Sequence, residues 1–183
     1  MKSFLLFLLF SIFISATAHA GKADKDQPAH IEANHMSSDD AKQISTFTGN
    51  VILTKGTTII KANKAVIKQD TEGYFYATLY ADSGQLVSLR TKRSENSNLW
   101  IEGYGEKVEY DTKNDVAKFF KKAHIKHIED SKVTDEVTGE FISYNNKTEF
   151  VQVHNAIPGT SVQNAGRVKV IIQPRNKKQN ERK

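Results

Sequence analysis

One pattern, met four times along the chain, limits the possible folds more than any other feature. Ile31-x-Ala33-x-x-Met36-x-Ser38 recurs as Ile60-x-Ala62-x-x-Ala65-x-Ile67, Gly103-x-Gly105-x-x-Val108-x-Tyr110 and Val137-x-Gly139-x-x-Ile142-x-Tyr144. Each copy holds two period-two runs separated by a step of three. In an uninterrupted strand an odd step sends every later side chain to the opposite face. Apolar residues resume after the step, so the chain needs a bulge or corner there. The stretch from Phe47 to Ile67 shows this best. It reads as two strands with a turn near Lys55-Gly56 and a corner at Asn63-Lys64.

Three copies run into a polar turn and a second strand. Asp39 to Gln43 leads to Ile44-x-x-Phe47, Asp111 to Asp115 leads to Val116-x-x-Phe119, and Asn145 to Glu149 leads to Phe150-x-x-Val153. Carboxylates and amides at these places suit Asx turns. Two-strand units that each leave an apolar face uncovered must stack to bury it. The small residues are 29, 43 and 34 positions apart, so loops of different length decorate a common rung. The longest interval predicts an extra hairpin turning near Asp82-Ser83-Gly84, then a loop at Lys92 to Asn98. A last strand, Val168-x-Val170-x-Ile172, ends before Pro174. Phe119 to Ala123 has weak helical character, outweighed by the repeat and the β-branched residues around it. An all-β domain follows.

The two ends read differently. Lys2, the apolar run Phe4 to Ile14 and the small-x-small tripeptide Ala18-His19-Ala20 form a signal peptide over residues 1–20. That run is short for a membrane span. The domain is expected over 21–174 and a basic disordered tail over 175–183. The formal net charge of +5 includes Lys2 and is concentrated in that tail, which weakens any case for nucleic acid. With no cysteine, an exported chain must be held by its core and sheet pairing, as suits a bacterial periplasm.

Catalytic constellations are missing. The sequence has no glycine-rich phosphate loop, Gly-x-Ser-x-Gly elbow or His-Glu-x-x-His motif. His124-x-x-His127 on a strand points its rings to opposite faces, so neither metal nor catalytic site is expected. No cofactor is implied. Trp100 and the run Tyr74 to Tyr76 leave open a rival reading, a polysaccharide-binding module with an aromatic outer platform.

Taken together, these segments resemble the OstA-like family of periplasmic lipopolysaccharide-transport proteins. The resemblance rests on Asp26 to Ala33, Thr46-Phe47-Thr48-Gly49-Asn50-Val51, Ile60 to Val66, Glu102-Gly103-Tyr104-Gly105, and Thr138-Gly139-Glu140 with Ile142 and Tyr144. It implies a twisted, open β-jellyroll of many short antiparallel strands whose apolar groove receives lipid A acyl chains. It also implies head-to-tail self-association and a bridge between an LptC-like inner-membrane protein and an LptD-like outer-membrane protein. A membrane-anchored relative of the same fold is the other member type that fits. On this reading the acyl-contact candidates are Ala29, Ile31, Phe47, Val51, Leu53, Ile67, Leu89, Tyr110, Phe119 and Tyr144. The edges open to strand addition are Pro28 to Ser38 and Val168 to Ile172. Ala33, Ala62, Gly105 and Gly139 serve one of two ends: free volume for a groove, or close packing of sheets around a dry core.

Overall fold

The computed structural model describes residues 27–93, 98–160 and 166–174. The expected signal peptide and basic tail lie outside the described residues. Among the described residues twelve strands form one antiparallel sheet: β1 (Ala29–Glu32), β2 (His35–Asp39), β3 (Ile44–Lys55), β4 (Thr58–Gln69), β5 (Phe75–Tyr80), β6 (Val87–Lys92), β7 (Leu99–Gly105), β8 (Lys107–Asp111), β9 (Val116–Glu129), β10 (Lys132–Asn145), β11 (Phe150–His154) and β12 (Lys169–Ile172). Among the described residues no helix forms, Phe119 to Ala123 included.

The long strands take a different neighbour with each half. β4 pairs β6 through Ile59–Lys61 and β5 through Lys64–Gln69. β9 pairs β8 through Val116–Phe120 and β7 through His124–Glu129. β10 pairs β12 through Asp135–Thr138 and β11 through Phe141–Asn145. The sheet is thereby folded along a corner into two half-sheets. Half-sheet A runs β1-β3-β4-β6-β7-β9-β10-β12, and half-sheet B runs β2-β3-β4-β5-β8-β9-β10-β11.

The corner explains the step of three. Val51, Leu53 and Ile60 on one arm, and Ala65 and Ile67 on the other, all enter the same core. The strand direction changes after each small residue, so both arms keep their apolar face inward. The expected corner at Asn63-Lys64 is present, but the extra residues belong to the neighbouring strand. The β3–β4 register shifts between Thr48 and Val51, where Gly49 and Asn50 take φ of 77° and 48°. β9 does the same at Lys121 and Lys122, with φ of 59° and 49°. Hydrogen bonds continue across the corner: Asn34 N–H to Gly49 O at 2.9 Å, Ala81 N–H to Glu106 O at 3.1 Å, and Glu106 N–H to Lys121 O at 3.1 Å.

One local expectation is corrected. β5 and β6 do not pair as a hairpin around Asp82-Ser83-Gly84; they are the two arms of one rung, on different half-sheets. The connection turns a corner there, where Asp82 accepts from Asn63 Nδ2 at 2.8 Å and its N–H donates to Asn63 Oδ1 at 3.1 Å. The turns at the far tips of half-sheet B are Asx-capped as expected. Asp111 Oδ1 accepts from Lys113 and Asn114 N–H, and Asn145 Oδ1 from Lys147 and Thr148 N–H.

Candidate functional site

The candidate residues share one surface, the inner face between the half-sheets. Val51, Leu53 and Leu89 come from half-sheet A, and Ile67, Tyr110, Phe119 and Tyr144 from half-sheet B; all seven are buried in one core cluster. Ile31 and Phe47 are partly buried against it. Ala29 is exposed on β1, in register with Lys55. The alternation that selected these residues is the one that faces them inward.

This interior is filled along its middle. A Cβ on Gly103 would lie 2.3 Å from Phe119 Cζ, and one on Gly139 would lie 2.7 Å from Val153 Cγ1. At Gly105 it would approach backbone atoms of Lys107 and Phe120 at 3.2 Å. The glycines at these positions therefore serve close packing.

At the tips opposite the corner, here termed the lips, polar groups replace apolar ones. Thr58 and Thr91 of half-sheet A are buried and share a hydrogen bond of 2.9 Å. Facing them on half-sheet B, Asp115 accepts from Tyr110 Oη at 3.2 Å and Asn146 Nδ2 at 2.9 Å. These residues, with Leu89, Ala117 and Tyr144, enclose a cavity of 10 Å³. The Tyr144 hydroxyl is buried without a hydrogen-bond partner, and that burial pushes its pKa well above the usual phenol range. An ion pair, Arg93 to Glu149, joins the β6–β7 connection on one lip to the β10–β11 turn on the other. Its hydrogen bond holds the guanidinium pKa above the ordinary arginine value. Beside it, His127 Nδ1 lies 3.8 Å from Asp135 and lines a 290 Å³ cavity with Arg93, Leu99, Trp100 and Thr134. Burial first, and the Arg93 charge second, lower the His127 pKa. Sequence reading missed this polar rim, because threonine and asparagine at strand ends look like ordinary turn residues.

The two ends of the fold are edges. Among the described residues, β1 and β2 pair only with β3, and β11 and β12 only with β10. Met36 is 53 % exposed at one end; Phe150, Val170 and Ile172 are 63 %, 53 % and 75 % exposed at the other. The expected edges match these positions, and β11 shares the second edge with β12.

The remaining aromatic and imidazole candidates are dispersed. Trp100 lies on half-sheet A with Arg90 4.5 Å from its ring centroid, while Tyr76 on half-sheet B donates its hydroxyl to Glu109 at 2.6 Å. They form no common platform. His124 stacks on Tyr104 at 4.5 Å, and His127 faces Asp135 on the other side of β9.

Similarity to known proteins agrees with this geometry. Residues 30–150 match the family described as LptA/(LptD N-terminal domain) LPS transport protein. The lipopolysaccharide export system protein LptA of Haemophilus influenzae is 32 % identical over 133 residues, which cover 73 % of this chain and 76 % of that protein. The export system protein LptH of Pseudomonas aeruginosa is 25 % identical over 178 residues, covering 96 % and 95 %. The crystal structure of LptH, the LptA homologous periplasmic component of the lipopolysaccharide transport device of Pseudomonas aeruginosa, superposes with a TM-score of 0.71 at 22 % identity. It covers 82 % of this chain and 99 % of that one. A folded apolar sheet with free edges at both ends, matched in sequence across most of its length, makes this chain a member of the LptA/LptD N-terminal domain family of lipopolysaccharide transport proteins.

Proposed function

We propose that this protein carries lipopolysaccharide across the periplasm, sheltering lipid A acyl chains between its half-sheets and linking inner- and outer-membrane partners. One observation supports this most: an inward apolar face runs from Ile31 on the first rung to Val153 on the last, ending at an edge rung on each side. Exposing hydrocarbon to water costs about 0.8 kcal/mol per methylene, so a chain of about twelve carbons is penalised by about 10 kcal/mol. A continuous apolar path offsets that cost at every point of the crossing, with no covalent step.

The acyl contacts are assigned to Ala29, exposed on the first strand, and to Ile31, Phe47, Val51, Leu53, Ile67, Leu89, Tyr110, Phe119 and Tyr144 on the inner face. Because the middle is packed, chains displace inter-sheet contacts when they enter. The edge rungs provide for association. Among the described residues, β1 and β2 at one end, and β11 and β12 at the other, are the terminal strands of the sheet and carry exposed apolar side chains. Contact between two different edges is heterologous and propagates head to tail. The same edges suit an LptC-like and an LptD-like partner of related fold.

A photo-crosslinking residue placed at Tyr110, Ile31 or Phe119 tests the reading. Each is expected to capture purified lipopolysaccharide, and capture should fall when the acyl chains are removed. Folded variants that capture none at all three positions, or that bind the deacylated form equally well, would sink the proposal.

A further inference from the structure

Residue register carries from one end of the fold to the other. Among the described residues each half-sheet holds eight strands, every one antiparallel to its neighbours, so the last strand runs opposite to the first. A second copy in the same orientation therefore offers β1 antiparallel to β12 and β2 antiparallel to β11. Rows of paired residues cross all eight strands. On the outer face of half-sheet A, one row starts at Glu32, passes Lys61 and Tyr104, and ends at Lys169. The inward row beside it starts at Ile31 and ends at Val170. On half-sheet B an inward row runs from Met36 through Phe119 to Val153, and the outer row beside it runs from His35 to His154. Glu32 and His35 flank the corner on the first rung; Lys169 and His154 flank it on the last. Glu32 and Lys169 are both exposed, and among the described residues neither forms an ion pair.

We infer that successive copies of this chain meet corner over corner, with Glu32 of one copy opposite Lys169 of the next as the ion pair that fixes their register. This deepens the head-to-tail reading above and rests on it. Corner over corner, the inner face continues without a step, since Ile31 meets Val170 on one arm and Met36 meets Val153 on the other. Sliding one copy by two residues keeps inward side chains inward. It also carries the corner about 7 Å along the rung, so the two inner faces no longer align. In one sense the slide puts Glu32 opposite Ile171, which carries no charge. In the other it puts Glu32 opposite Arg167, which lies before β12 begins. Opposite charges directly across a strand pair favour the contact, and like charges there oppose it. The partner that fits is a second copy, because its first rung carries the carboxylate that Lys169 faces in this register.

A charge-reversal cycle tests the pair, with light scattering across a dilution series as the readout and circular dichroism as the check on folding. E32K and K169E each set like charges face to face and are expected to weaken self-association about fivefold at low salt. The E32K/K169E double variant should return close to wild type, and high salt should shrink all of these differences. Cross-linking reads the register itself. The chain contains no cysteine, so E32C mixed with K169C and oxidised should give several-fold more mixed disulfide than E32C mixed with R167C or with I171C. Equal yields from the three mixtures, or a double variant no better than the single ones, would overturn the register and leave head-to-tail assembly standing. Wild type that stays monomeric at every concentration would overturn the head-to-tail reading, and the register with it.

Discussion

The Phe119 ring lies against the α-carbon of Gly103, so closely that a methyl group on Gly103 would sit 2.3 Å from Phe119 Cζ. Gly103 is on half-sheet A and Phe119 on half-sheet B, and both are buried. The pair sets how near the half-sheets can approach at mid-length. Gly103→Ala should therefore destabilise the protein by about 1–3 kcal/mol, the usual cost of overpacking. In a Phe119→Leu background the same change should cost clearly less, because the ring tip is gone. Urea unfolding of the four proteins of this cycle measures both effects; equal costs in the two backgrounds would show that the contact does not limit sheet spacing.

Tyr144 has a buried hydroxyl with no hydrogen-bond partner, at 2 % residue exposure. Removing that oxygen removes an unpaid desolvation cost. Tyr144→Phe should leave stability unchanged or raise it by about 1 kcal/mol. Tyr110→Phe is the contrast, since it deletes the bond to Asp115 and is expected to destabilise by about 1 kcal/mol. Thermal unfolding in matched buffer compares them.

His127 gives the fold a mild acid sensitivity. Its folded pKa lies below the ordinary value of 6.5 because burial and the Arg93 charge disfavour the imidazolium, with Asp135 and Glu149 opposing in part. The folded state then binds fewer protons than the unfolded chain near that pH, so stability falls as pH drops through 6.5. Between pH 7.5 and 5.5, His127→Gln should flatten the stability profile relative to wild type. The carboxylates whose pKa is lowered, such as Glu106 and Asp111, act only below that window. An unchanged slope in the variant would remove His127 from the account.

Edge exposure predicts concentration-dependent assembly. Phe150 and Ile172 are 63 % and 75 % exposed on the rung formed by β11 and β12. Phe150→Asp with Ile172→Asp places charge on that edge and should reduce self-association by tenfold or more while leaving the melting temperature within a few degrees. Light scattering across a dilution series reads the first effect and calorimetry the second. A monomeric wild type at high concentration would count against head-to-tail assembly.

Local pattern carried the class of fold and the inward face. Each strand of Ile60 to Ile67 alternates, the step of three marks the corner, and Asp111 and Asn145 announce their turns by side-chain chemistry alone. These features are legible in sequence because they depend on residues two to four positions apart. The pairing of β4 with both β5 and β6 was not legible, and Asp82-Ser83-Gly84 passed for a hairpin turn. Which neighbour a strand chooses depends on how the whole sheet folds over. The same holds for Gly103, whose neighbours in sequence give no sign of the ring from the opposite half-sheet that packs against it. The lips are the furthest case. Arg93 and Glu149 are 56 residues apart, and only closure of half-sheet A on half-sheet B brings their opposite charges together.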